Sequence, residues 1–286
     1  MEGSYTYKPV RFFLSAQLII WVTWSIAAYF SYYGESSSRA AISILEIIGL
    51  FGPCVTAMWM IFTSKSAELK QNFYERLLNL KLMKLWTVPV ILFIMPVTAI
   101  VSIFISHFLF GQTLTQLAIT KTPFAAGLVP VPLLLFGAAL IEELGWKGYG
   151  VDSLRGERTF LTATLIFAAL WAFWHVPTFF VNNYYQNILL RTNPLFALNF
   201  VVSIFPAAFI GNWLWYKNRG SILTAVLFHA SVNFQGILEM GQIAKCIETA
   251  VWIVVAAIIV GLNKKMFFEK FPAQIGYFGV SLRMKV

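Results

Sequence analysis

Apolar residues in this chain run in blocks rather than alternating with polar ones. Eight blocks stand out, at positions 11–33, 40–63, 85–110, 123–144, 159–181, 194–216, 221–240 and 244–262. A helix needs about 20 apolar residues to cross the hydrocarbon core of a bilayer, and only a helix or a closed barrel satisfies its own main chain there. Each block therefore predicts one helix, and together they predict an all-α fold, a bundle of eight transmembrane helices. The first block does not read as a cleavable signal, because it ends in Tyr-Tyr-Gly-Glu without a small-residue cleavage site. Residues 1–270 read as a single transmembrane domain with a core at about 123–240. Residues 271–286 have neither a helical nor a strand period and read as a disordered tail.

Composition agrees with the pattern. Of 286 residues, 59% are hydrophobic and 12% charged, about half the charged fraction of a soluble domain. That excludes a cytosolic enzyme and a disordered regulator. The net charge of +9 would suit a nucleic-acid partner, but its distribution argues otherwise. From the N-terminal tail through successive loops to the C-terminal tail, Lys and Arg number 2, 1, 5, 1, 3, 1, 2, 1 and 5. The positive-inside rule then accounts for the charge by topology, with both termini cytosolic and no nucleic acid among the partners. The expected setting is a multi-pass protein of the cell membrane, or of the endoplasmic reticulum in a eukaryote. Cys54 and Cys246 lie in or beside apolar stretches and form neither a disulfide framework nor a paired metal motif.

Ionisable residues inside a span are costly and mark function. The candidates are Glu46, His107, Glu142, Glu143, His175 and His229. Glu46 and His107 lie near helix ends, where they can reach water. Glu142 and Glu143 are adjacent, so about 100° of helix separates their directions and their roles should differ. Glu143 stands four residues before Lys147, the spacing of a same-face ion pair. Glu142 has the small residues Ala138, Ala139 and Gly145 as face neighbours, which let a second helix or a water pocket approach. It is the better candidate base. His175 lies two residues before Pro177. On the seventh block, Ala225, His229, Asn233 and Gly236 share one face, and His229 and Asn233 together offer donors of the kind a developing oxyanion needs; an interhelical clamp is the structural alternative for that pair.

Taken together, these residues resemble the CPBP family of intramembrane proteases, which includes the type II CAAX prenyl endopeptidases. The family's Glu-Glu-x-x-x-Arg is matched by Glu142, Glu143 and, with a change, Lys147. Its Phe-x-x-x-His is matched by Trp171 and His175, again with one change, and its His-x-x-x-Asn by His229 and Asn233. The resemblance covers roughly 133–236 and implies peptide hydrolysis by a glutamate-activated water. Glu142 would be the general base and His175 would hold or polarise the water. His229 and Asn233 would stabilise the oxyanion, and Glu143 would orient the site through Lys147. The implied substrate is a prenylated or otherwise membrane-associated protein or peptide, such as a Cys-a-a-X protein cut after its prenyl-cysteine.

One geometric demand follows. His175 is about 16 residues, or about 24 Å, into a span that starts near Thr159, whereas Glu142 lies near the cytosolic end of its own. The two meet only if the fourth helix continues past Gly150 or the fifth begins below the membrane surface, and a cavity open to the cytosol is expected there. Other membrane proteases lack their residues here: one aspartate, Asp152, cannot make an aspartyl pair, and neither Gly-x-Ser-Gly nor His-Glu-x-x-His occurs. No cofactor is expected, with zinc on Glu142, His175 and His229 as the alternative. A transporter or membrane scaffold using the same residues as a proton relay is the reading from another class.

Overall fold

A computed structural model describes residues 5–35, 38–119, 125–126, 129–156, 158–234 and 238–270. The expected tail at 271–286 lies outside them, as does Gly236. In chain order the α-helices are α1 (Pro9–Tyr33), α2 (Arg39–Leu50), α3 (Gly52–Phe62), α4 (Ala67–Leu78), α5 (Thr87–Phe110), α6 (Val131–Gly145), α7 (Val151–Arg155), α8 (Phe160–Trp174), α9 (Tyr185–Thr192), α10 (Pro194–Lys217), α11 (Ile222–Asn233), α12 (Gln242–Leu262) and α13 (Lys264–Phe268). Among the described residues, extended pairing is confined to Ala125–Ala126 against Val129–Pro130 and one bridge between Ile119 and Leu238.

Every apolar block contains a helix, yet the count of eight spans is not reproduced. Among the described residues five helices are long and apolar enough to cross a membrane: α1, α5, α8 with the tight turn that follows it, α10 and α12. The second block is α2 and α3, bent by 45°; it makes a sixth span if taken as one. Pro53 explains the bend, since it lacks an N–H and crowds the carbonyl four residues back. α6 is interrupted by charge, and α11 has 12 residues, about 18 Å of helix. The two shortfalls fall on site-bearing elements, where polar residues take positions that a spanning helix would fill with apolar ones.

α6 and α11 form the centre. α6 packs against α3 and α11, α11 against α5 and α10, and α10 against α8 and α12, while α1 closes over α2 and α3. Gly145 at the end of α6 permits one of these contacts, because a Cβ there would stand 2.4 Å from the Pro53 carbonyl carbon. The outer faces remain apolar: Leu14, Leu18 and Val22 on α1 and Phe93 and Val97 on α5 are exposed. Such a surface is at home in lipid, and this is a multi-pass membrane protein. Tyr29, Tyr33 and Trp86 are exposed near helix ends, as interface anchors are. Trp215, near the end of α10, is fully buried instead; it faces the bundle, not its rim.

Candidate active site

The fourth block does continue past Gly150. α6 passes without a break into a π-helical turn, Trp146–Gly150, and then into α7, so the helix runs on to Arg155. All five residues of the π turn are buried. Such wide turns are rare and recur at functional sites. Here the turn directly follows the glutamate pair.

Three elements bring the predicted residues together. From α6 come Glu142 and Glu143, both buried, and from the π turn Lys147. Trp171 lies on α8 and His175 caps it. His229 lies on α11 and is also buried. The indole Nε1 of Trp171 donates to Glu142 Oε2 at 3.1 Å, and that of Trp146 approaches the same oxygen at 3.3 Å. Trp171 also binds His175, whose Nδ1 lies 2.8 Å from the Trp171 carbonyl oxygen. A carbonyl only accepts, so His175 Nδ1 carries a proton, and the neutral form of the ring has its lone pair on Nε2. The Trp171 ring stands 5.8 Å from that of His175 and 5.4 Å, edge on, from that of His229. One indole thus touches three of the site residues.

Glu143 faces elsewhere, as its 100° offset from Glu142 predicts. Its Oε1 accepts from His229 Nδ1 at 2.9 Å, and its Oε2 lies 3.5 Å from Lys147 Nζ. The Lys147 pairing is the one expected from spacing; the bond to His229 is additional. At 3.5 Å the ammonium serves Oε2 as an ion pair more than as a close hydrogen-bond donor. It also rests 4.4 Å from the centre of the Phe167 ring. Beside this dyad lies a cavity of about 20 Å³, lined by Glu143, Lys147, Trp171, His229 and small residues of α10 and α11 such as Ala207, Gly211 and Ala225. That is room for about one water.

Asn233 sits one turn beyond His229, and its Nδ2 donates to the Leu135 carbonyl at 3.2 Å. Both are tied to α6, at positions about two turns apart, and Asn233 retains a second amide hydrogen. Glu46 lies on α2, outside the three elements that carry the site, and His107 Nδ1 pairs with the Gln112 carbonyl at the end of α5. Among the described residues, no group of three His, Cys, Asp or Glu side chains is placed to hold a metal ion.

Four participants escape the reading of the sequence as site residues. Trp171 is visible only as an imperfect match to a phenylalanine, and Trp146 has no pattern of its own. Arg76 and Asp152 form a buried ion pair against the π turn, 2.7 Å apart. Arg76 is counted among loop charges until the fold is known. A further ionisable group, Glu248, is buried in α12 and accepts from Thr98 Oγ1 at 3.1 Å. It belongs to the seam between α5 and α12, outside the three elements of the site.

Paired glutamates, a histidine and a lysine buried among membrane helices, with a second, half-buried histidine beside them, are a set of side chains suited to hydrolysis inside the bilayer. The family profile described as Type II CAAX prenyl endopeptidase Rce1-like matches residues 123–235. The CAAX prenyl protease 2 of Methanococcus maripaludis is 40% identical over 273 residues, which cover 94% of this chain and 99% of that protein. The chain belongs to the type II CAAX prenyl endopeptidase family, and it is a CAAX-type endopeptidase.

Proposed function

We propose that this protein removes the C-terminal tripeptide of prenylated Cys-a-a-X proteins, by a metal-free reaction in which Glu142 is the general base. The observation that carries this reading is the double hold of Trp171, which fixes the Glu142 carboxylate and leaves His175 Nε2 bare. A water between them would give one proton to Glu142 and donate its other to His175 Nε2. Its oxygen then adds to the carbonyl carbon of the scissile bond after the prenyl-cysteine. The oxyanion that forms is met by His229 and the remaining Asn233 amide hydrogen. Glu143 balances a cationic His229, as a carboxylate does in other hydrolytic sites. Collapse breaks the C–N bond, and the proton held by Glu142 passes to the departing amine.

The charge alternation of the loops supports placing both termini in the cytosol, with the site open to that side of the cell membrane. Residues 1–270 are then one transmembrane unit. The test is cleavage of a farnesylated Cys-a-a-X peptide by the detergent-purified protein, with its unprenylated twin and Glu142→Gln in parallel. Release of the tripeptide from the farnesylated peptide only, lost in Glu142→Gln, is the expected result. Full activity in Glu142→Gln would remove Glu142 as base, and equal cleavage of both peptides would remove the prenyl requirement.

A further inference from the structure

α4 lies in the connection between α3 and α5, yet one of its residues reaches the helix that carries the glutamates. Ser66 caps α4, its Oγ accepting from Leu69 N at 3.1 Å, and Leu69, Asn72, Phe73 and Arg76 form its buried face. That face has the i, i+3, i+4, i+7 spacing of a packed helix but ends in a guanidinium with no side-chain exposure. Arg76 Nη1 donates to Asp152 Oδ2 at 2.7 Å and to the Lys147 carbonyl at 3.1 Å, while Nη2 donates to the Gly148 carbonyl at 3.1 Å. Two carbonyls of the wide turn and a carboxylate just past it converge on a single planar fork.

A π turn holds one residue more than the α-helix would, and it turns the residues before and after it relative to one another. Two residues at its start serve the site: Trp146 reaches Glu142 and Lys147 reaches Glu143. Were the turn to relax to α geometry, everything after it would rotate by about 100° relative to the glutamates. Arg76 fastens the two carbonyls at the start of the turn to the carboxylate that follows it. Phe73, one turn earlier on α4, lies where a Cβ on Gly148 would come within 3.0 Å, so the clasp closes against the bare glycine main chain.

We propose that Arg76 is a positioning residue for catalysis: through its fork on Lys147, Gly148 and Asp152 it fixes the π turn and thereby sets Lys147 on Glu143. This rests on the roles given above to the glutamate pair. Lysine cannot reproduce the fork, because it offers a single nitrogen in place of a planar pair.

The test is a kinetic double-mutant cycle on the full-length protein with the farnesylated peptide. Arg76→Lys is expected to lower kcat at least tenfold with KM within about twofold of wild type. On a Lys147→Met background the same substitution should cost less than twofold, since the contact it serves is already gone. Asp152→Asn keeps the shape and an accepting oxygen, and should lower kcat in the same sense if Arg76→Lys fails to fold. An unchanged kcat in Arg76→Lys, or an equal loss on both backgrounds, would overturn the proposal, the latter marking a general structural role. Glu142→Gln, run alongside, separates the two readings: activity there removes the base, whatever Arg76 does.

Discussion

Glu143 and His229 are joined across α6 and α11 by a 2.9 Å hydrogen bond from His229 Nδ1 to Glu143 Oε1. The bond turns Nε2 of His229 away from Glu143, and it gives the second glutamate a task distinct from that of the first. Glu143→Gln keeps the size and an accepting oxygen but removes the charge that supports a cationic His229. By analogy with the buried carboxylate of Ser-His-Asp sites, kcat should fall about a hundredfold or more while KM changes little. Groups that act as a unit are not additive, so Glu143→Gln with His229→Ala should be no slower than His229→Ala alone. A multiplicative loss in steady-state cleavage would show that the two act separately.

Trp171 departs from the family's phenylalanine, and the departure supplies a donor. Trp171→Phe keeps an aromatic ring at the centre of the site and removes the 3.1 Å bond to Glu142 Oε2. Trp146 would then hold that oxygen alone, at 3.3 Å. One charge-assisted hydrogen bond corresponds to about 1.5–3 kcal/mol, so kcat should fall by roughly tenfold to a hundredfold. The His175 bond is to the main chain and survives. Trp171→Ala also removes the ring that packs on both histidines and should be close to inactive. Equal activity of wild type and Trp171→Phe would assign the orientation of Glu142 to Trp146.

What was legible in the sequence follows from how each feature is encoded. The spans were legible because lipid demands long apolar blocks, and the Glu143–Lys147 pair because helix spacing is fixed. The approach of another helix at Gly145 was legible from the small residues beside Glu142. The π turn was not, since a wide turn has no periodicity that differs from a slightly irregular α-helix. Nor was α4, whose buried face includes Asn72 and Arg76 and so lacks an apolar stripe. The Glu143–His229 bond joins residues 86 positions apart, which local pattern cannot pair. Among the described residues five or six helices meet the length and composition of a span, short of the eight blocks, and an apolar block reports burial from water without saying whether lipid or protein provides it. α11 is surrounded by α5, α6 and α10, and can be apolar without spanning.

Gly145 and Gly137 lie on one helix and should answer oppositely to the same substitution. At Gly145 an added Cβ would stand 2.4 Å from the Pro53 carbonyl carbon and 2.6 Å from its oxygen, and main-chain atoms cannot swing aside. Gly145→Ala must part α6 from α3, an overpacking of about 1–3 kcal/mol or more. Gly137 has no neighbour within 4 Å of such a Cβ, so Gly137→Ala gains helix propensity of about 0.5–1 kcal/mol. Thermal unfolding in detergent should show Gly145→Ala below wild type and Gly137→Ala level or above. A Gly145→Ala protein as stable as wild type would mean that α3 and α6 do not meet as closely as the Pro53 contact requires.

The proposed metal-free chemistry makes a prediction that does not depend on any substitution. Glu142, His175 and His229 do not converge as a three-ligand group among the described residues, although each histidine is held through Nδ1 and keeps Nε2 for another partner. Glu142 Oε2 is taken by indole donors, and Nδ1 of His229 by Glu143. A catalytic zinc needs three protein ligands at about 2 Å with a fourth position open, so these side chains would have to move together to bind one. Dialysis against a strong chelator should therefore leave cleavage of the farnesylated peptide unchanged, and the active protein should carry well below one zinc per chain by elemental mass spectrometry. Loss of activity on dialysis, restored by zinc alone, would replace the glutamate-activated water with a metal-bound one and recast Glu142 as a ligand.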